Sequence, residues 1–138
     1  MARLLFAMIA ACTLVFACGP APDVSSGPVG RPAPQQVEPR PGMADAEPVA
    51  WDRYEAGEDG RTLQVFWASG PQPCFVLDHV GLVQSAEAVT VTVHEGRDPE
   101  VPAGTPCLTI LVTKTTAVVL DAPLGDRKVI DGAPAQGS

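Results

Sequence analysis

Apolar and polar residues alternate with a period of two over much of the second half of the chain. The clearest stretch is residues 88–94 (AVTVTVH). There Val89, Val91 and Val93 fall on one side and Thr90, Thr92 and His94 on the other, as in a strand with one face buried. Residues 62–67 (TLQVFW) read as a strand closed by Ser69, Gly70 and Pro71, and residues 74–80 (CFVLDHV) as another that follows a proline-rich turn. Residues 95–106 are crowded with turn formers and read as a long loop. Residues 107–120 (CLTILVTKTTAVVL) run too long for an ordinary strand, so a break is expected near Lys114 and Thr115. That break leaves Leu108, Ile110 and Val112 in one stripe and Val118 and Leu120 in another. Residues 121–125 turn, and residues 128–130 (KVI) form a short last strand. A helical period is hinted at only weakly, over residues 85–89. The pattern predicts an all-β domain over residues 51–138, a small antiparallel β-sandwich or partly open barrel with a short disordered C-terminal tail.

The first half follows different rules. After a short basic start, residues 4–17 (LLFAMIAACTLVFA) contain no charge and a single polar residue, Thr13. Such a run is shorter than the roughly 20 residues that cross a bilayer as a helix and matches the apolar core of a secretory signal. Its end, Val15-Phe16-Ala17-Cys18-Gly19, resembles the lipobox of bacterial lipoproteins: an aliphatic residue, a variable one, a small one and then cysteine. Phe16 is bulkier than the residue usual at its place. The resemblance implies that residues 1–17 are a signal peptide and that Cys18 becomes the first mature residue, its thiol carrying diacylglycerol. Two or three acyl chains would hold the protein to a membrane permanently, where one holds it only marginally.

Residues 18–50 read as a lipidated cysteine followed by a linker. Of the 32 residues 19–50, eight are proline, and the aliphatic residues show no period. A segment of this composition buries too little apolar surface to offset its ordering entropy, so a disordered tether reaching at most about 100 Å is expected.

Composition narrows the partners. The 138 residues include 9 basic and 16 acidic ones, for a net charge of -7, and the only lysines are Lys114 and Lys128. Such a surface does not suit nucleic acid, whose binding depends on neutralising phosphates. The catalytic candidates are sparse. Asp78-His79 and His94-Glu95 are each adjacent in a strand, which places the two side chains on opposite faces and forms no oriented dyad. Ser69 lacks the nucleophile elbow. Glu55, Glu58 and Asp59 lie among glycines but without a calcium-loop spacing, so a solvated turn is expected. Trp51, Tyr54, Phe66 and Trp67 could line a groove, yet aromatics on strands more often build the core. No catalytic residue, metal or cofactor is expected.

The cysteine arithmetic is more telling. Cys12 leaves with the signal and Cys18 is blocked by lipid, which leaves Cys74 and Cys107. In an oxidising compartment a pair in a small domain forms a disulfide, here with Cα atoms within about 7 Å. The whole arrangement is similar to small lipoproteins common in actinobacteria. That resemblance covers architecture and carries no activity. The display architecture together with the lack of catalytic machinery points to a non-enzymatic protein on the extracytoplasmic face of the cell membrane, a binding or structural module that meets an envelope protein or wall polymer. The alternatives are an envelope enzyme, an enzyme inhibitor using the 95–106 loop, or a scaffold that contributes bulk and acidity.

Overall fold

A computed structural model describes residues 30–135; the expected signal peptide, Cys18 and the last three residues lie outside the described part. Residues from Arg31 onward form one compact unit. Its strands are β1 (Gln35–Gln36), β2 (Ala44–Val49), β3 (Arg53–Ala56), β4 (Thr62–Ser69), β5 (Val76–Gln84), β6 (Ala88–Arg97), β7 (Val112–Val119) and β8 (Lys128–Asp131). They make two sheets. One has the order β1-β7-β4-β3, with β1 parallel to β7 and the other pairs antiparallel. The other is built on β6, with β5 along one edge and β2 and β8 sharing the opposite edge. The fold is the expected all-β one, a two-sheet arrangement.

Period-two alternation accounts for the core. Leu63, Val65 and Trp67 of β4 face Val89, Val91 and Val93 of β6, joined by Leu77, Val118, Leu120 and Val37. Each of these side chains is buried, and burying one contributes about 1.5–3 kcal/mol relative to exposure.

The same alternation carries two charges inward. The β6 stripe continues to Glu95, and the β7 stripe of Val118 and Thr116 continues to Lys114. Their side chains, 2% and 1% exposed, form an ion pair across the two sheets at 2.7 Å. Ser69, next in the β4 stripe after Trp67, donates its hydroxyl to the same carboxylate oxygen at 3.1 Å. The Lys114 ammonium also donates to the Phe75 carbonyl at 2.7 Å.

Several elements differ from the sequence expectation. The stretch expected to be disordered over residues 18–50 contains β1 and β2, so the folded part begins well before Trp51. Both are edge strands. Ladders offered by β7 and β6 supply their hydrogen bonds, and an edge position tolerates Pro48, which cannot donate. Strand β3 is exposed along its whole length, so it has no apolar stripe to betray it. Strand β6 extends through Arg97, so the loop begins at Asp98 rather than residue 95. The break in residues 107–120 falls before Val112 rather than at Lys114, because β7 ends where its partner ends: Ser69 pairs with Val112 and Thr62 with Val119. Leu108 and Ile110, expected in a buried stripe, are exposed.

Cys74 and Cys107 are bonded, with Cα atoms 5.9 Å apart and a sequence separation of 33. One precedes β5 and the other precedes β7, so the bond ties the two sheets together at one end. On the chain-entropy argument it is worth about 3–4 kcal/mol, and the double change Cys74→Ala/Cys107→Ala is expected to lower the urea-derived unfolding free energy by about that amount. Lys114→Met leaves the Glu95 carboxylate alone in the core and is expected to cost about 3–5 kcal/mol in the same measurement. Adding Glu95→Leu removes both charges and is expected to restore most of that loss.

Candidate functional site

The chemistry-bearing residues of the second sheet gather around a bulge. The register of β5 against β6 shifts between Leu77 and His79, and His79 then stands opposite His94. A bulge leaves one extra residue on its strand and re-aims the side chains beside it. Adjacent residues on a regular strand point to opposite faces, which argued against an Asp78-His79 dyad. The bulge overturns that expectation: Asp78 Oδ2 lies 2.5 Å from His79 Nδ1. The other carboxylate oxygen accepts from the backbone amides of Gly42 and Met43 at 2.8 and 2.7 Å. The hydrogen bond from His79, then the Met43 and Gly42 amides, hold the Asp78 carboxyl below its ordinary value against the opposing effect of burial.

The two imidazoles are stacked, with ring centroids 4.1 Å apart and planes 12° from parallel. His94 lies over Gly81, where an added Cβ would stand 3.8 Å from its Cε1. The Asp78 carboxylate fixes the orientation of the His79 ring through Nδ1. The pair stands on a half-exposed sheet face. His94 and Glu95 do point apart as expected, since Glu95 enters the core.

Ser69 is turned inward against Glu95, away from the histidines. Clefts of about 440, 360 and 300 Å³ open elsewhere, and neither His79 nor His94 lines them. Among the described residues, no three or more His, Cys, Asp and Glu side chains cluster so as to hold a metal ion.

The acidic group near Gly57 and Gly60 is a turn. Asp59 accepts from the Thr62 hydroxyl and from the amides of Thr62 and Arg61, and the Thr62 hydroxyl above all lowers its carboxyl to about 2. Glu55 pairs with Arg53. The aromatic residues do not share a groove. Trp67 is in the core, Phe66 lies under the Arg53 guanidinium at 3.6 Å, and Trp51 meets Tyr54 edge-on. Trp51 has a structural task where β2 and β8 meet, donating to the Asp131 carboxylate and the Val91 carbonyl.

The loop after β6 is braced from below. Arg97 donates to the carbonyls of Pro102 and Thr105 at 3.4 and 3.0 Å and lies against both disulfide sulfurs. Sequence reading missed this brace and the Lys114–Glu95 pair. Counting the strand period onward from Val93 and back from Val118 would have pointed Glu95 and Lys114 inward. Cys18 lies outside the described residues. Comparison of the chain with protein-family models, curated proteins and solved structures gives no match.

Asp78 anchors the backbone of Gly42 and Met43, so its protonation should release them. The lowered carboxyl contributes stability above the ordinary Asp value of 3.8, and that contribution is lost as pH falls through the lowered one. In an NMR titration the Gly42 and Met43 amides are expected to hold their shifts down to that ordinary value and to move only below it. Asp78→Asn is expected to lower unfolding free energy by about 1.5–3 kcal/mol.

Proposed function

We propose that the protein is a lipid-anchored lipoprotein on the extracytoplasmic face of the cell membrane, acting as a binding or structural module toward an envelope protein or wall polymer. The observation that carries this reading is the spacing between Cys18 and the folded unit. Val15-Phe16-Ala17-Cys18 is followed, after the twelve residues 19–30, by a disulfide-stapled β domain that begins at Arg31. A disulfide in a small domain fits an oxidising compartment. With residues 31–50 taken up by the sheets, the tether shortens from the expected 100 Å to about 40 Å at full extension. The module is thus held close to its lipid.

The binding role is favoured over catalysis by the placement of the chemistry. The Asp78–His79 contact is the observation on the side of an enzyme, yet it lies outside the open clefts and Ser69 faces the core. The Arg97-braced loop is the feature an inhibitor would use. The cleft between residues 31–34 and the β3–β4 face, lined by Arg31, Asp52 and Arg53 with the buried Phe66 ring beneath Arg53, offers guanidinium groups to a partner.

Replacing Cys18 tests the anchor. In cells given labelled palmitate, the natural chain is expected to carry label and to sediment with membranes. Cys18→Ala should lose the label and shift to the soluble fraction; a variant that stays membrane-bound and labelled would sink the reading.

A further inference from the structure

Residues 107–111 (CLTIL) have the composition of a buried strand without its burial. Leu108, Ile110 and Leu111 are 66%, 54% and 78% exposed, and Phe75 beside the disulfide is exposed as well. The geometry explains why they stay uncovered. Strand β7 starts at Val112 opposite Ser69, the last residue of β4, so residues 107–111 run past the end of the neighbouring strand. The bond to Cys74 fixes one end of the segment, and Arg97 fixes the turn before it. Residues 101–113 contain no charged side chain, in a chain whose net charge is -7. A held, uncharged cluster of large apolar side chains marks a contact with an apolar partner.

The course of the chain indicates which partner. Strand β1 runs parallel to β7, with Gln35 opposite Lys114, so the residues ahead of each leave the sheet from the same end. Arg31, Pro32 and Ala33 accordingly line a cleft with Leu111. Only the residues 19–30 separate this point from Cys18, and they span at most about 40 Å. We infer that the tip formed by Phe75, Leu108, Ile110 and Leu111 rests on the lipid surface that holds Cys18, so that the domain stands on the membrane with this end down. The inference rests on Cys18 as the point of lipid attachment. The acyl chains supply affinity, and the tip supplies orientation: its apolar side chains enter the headgroup boundary while Arg31 lies at the level of the phosphates. The far end of the sheets, with the β5–β6 turn, then faces outward.

A depth measurement tests this. The chain from Cys18 onward, with Leu111→Trp, is coupled through its Cys18 thiol to a maleimide lipid in phosphatidylcholine vesicles containing brominated acyl chains, which quench nearby tryptophan. Val83→Trp is the control, because Val83 is 71% exposed and lies near the opposite end of β5, across from Thr90. After subtraction of the signal of the unsubstituted chain, whose Trp51 and Trp67 also emit, quenching is expected to be about twofold or more stronger for Leu111→Trp than for Val83→Trp, with Leu108→Trp behaving like Leu111→Trp. Quenching at both tip positions no stronger than at Val83 would overturn the inference and assign the tip to a protein partner. Because the lipid is attached chemically, this outcome is independent of acylation in cells, which the palmitate experiment reads separately.

Discussion

The sandwich depends on how it is closed at the end where β6 finishes and β7 begins. Two links between the sheets meet there. The Cys74–Cys107 bond joins the approach to β5 with the approach to β7, and the Lys114–Glu95 pair joins β7 with β6. The ion pair is costly by itself, because two charges leave water, and it is tolerable only with good geometry and extra hydrogen bonds. Ser69 and the Phe75 carbonyl supply such bonds. Phe75 follows Cys74, so the disulfide also positions the carbonyl that the Lys114 ammonium needs. Covalent and ionic links therefore support each other at one corner.

That corner also orders the surface around it. Arg97, at the end of β6, lies against the disulfide sulfurs and holds the loop carbonyls, which carries the chain to residue 107 along a defined path. The apolar segment that follows is displayed because the neighbouring strand has already ended. At the same end of the sheet the N-terminal segment enters beside it through the parallel pairing of β1. The entry of the N-terminal segment into the sheet, the staple and the apolar segment are thus concentrated at one end. The stacked histidines lie on the outer face of the second sheet, turned away from this corner.

The outer face shows how a local irregularity creates chemistry. In a regular ladder Asp78 and His79 would never touch. One bulge brings them together, and the Asp78 carboxylate then serves both the imidazole and the two amides that lead the chain into β2. The contact therefore couples the attachment of an edge strand to the orientation of a histidine.

The sequence by itself determined the all-β class, the strand at β4, the inner stripe of β6, the short β8 and the cysteine pairing. Each rests on information carried in the sequence: a period of two, turn-forming residues, or the small number of cysteines. It did not disclose β1, β2 and β3, because an edge strand draws its hydrogen bonds from a neighbour and needs no apolar stripe of its own. Nor did it reveal where β7 starts, since the end of β4 sets that limit and leaves Leu108, Ile110 and Leu111 exposed despite their apolar character. The inward turn of Lys114 was legible in principle from the spacing to Val118, but its charge argued for the surface until the position of Glu95 was known. Asp78 and His79 became partners only through the register shift against β6. In each of these cases the deciding partner is distant in the chain, and only the tertiary structure brings it within hydrogen-bonding or packing distance.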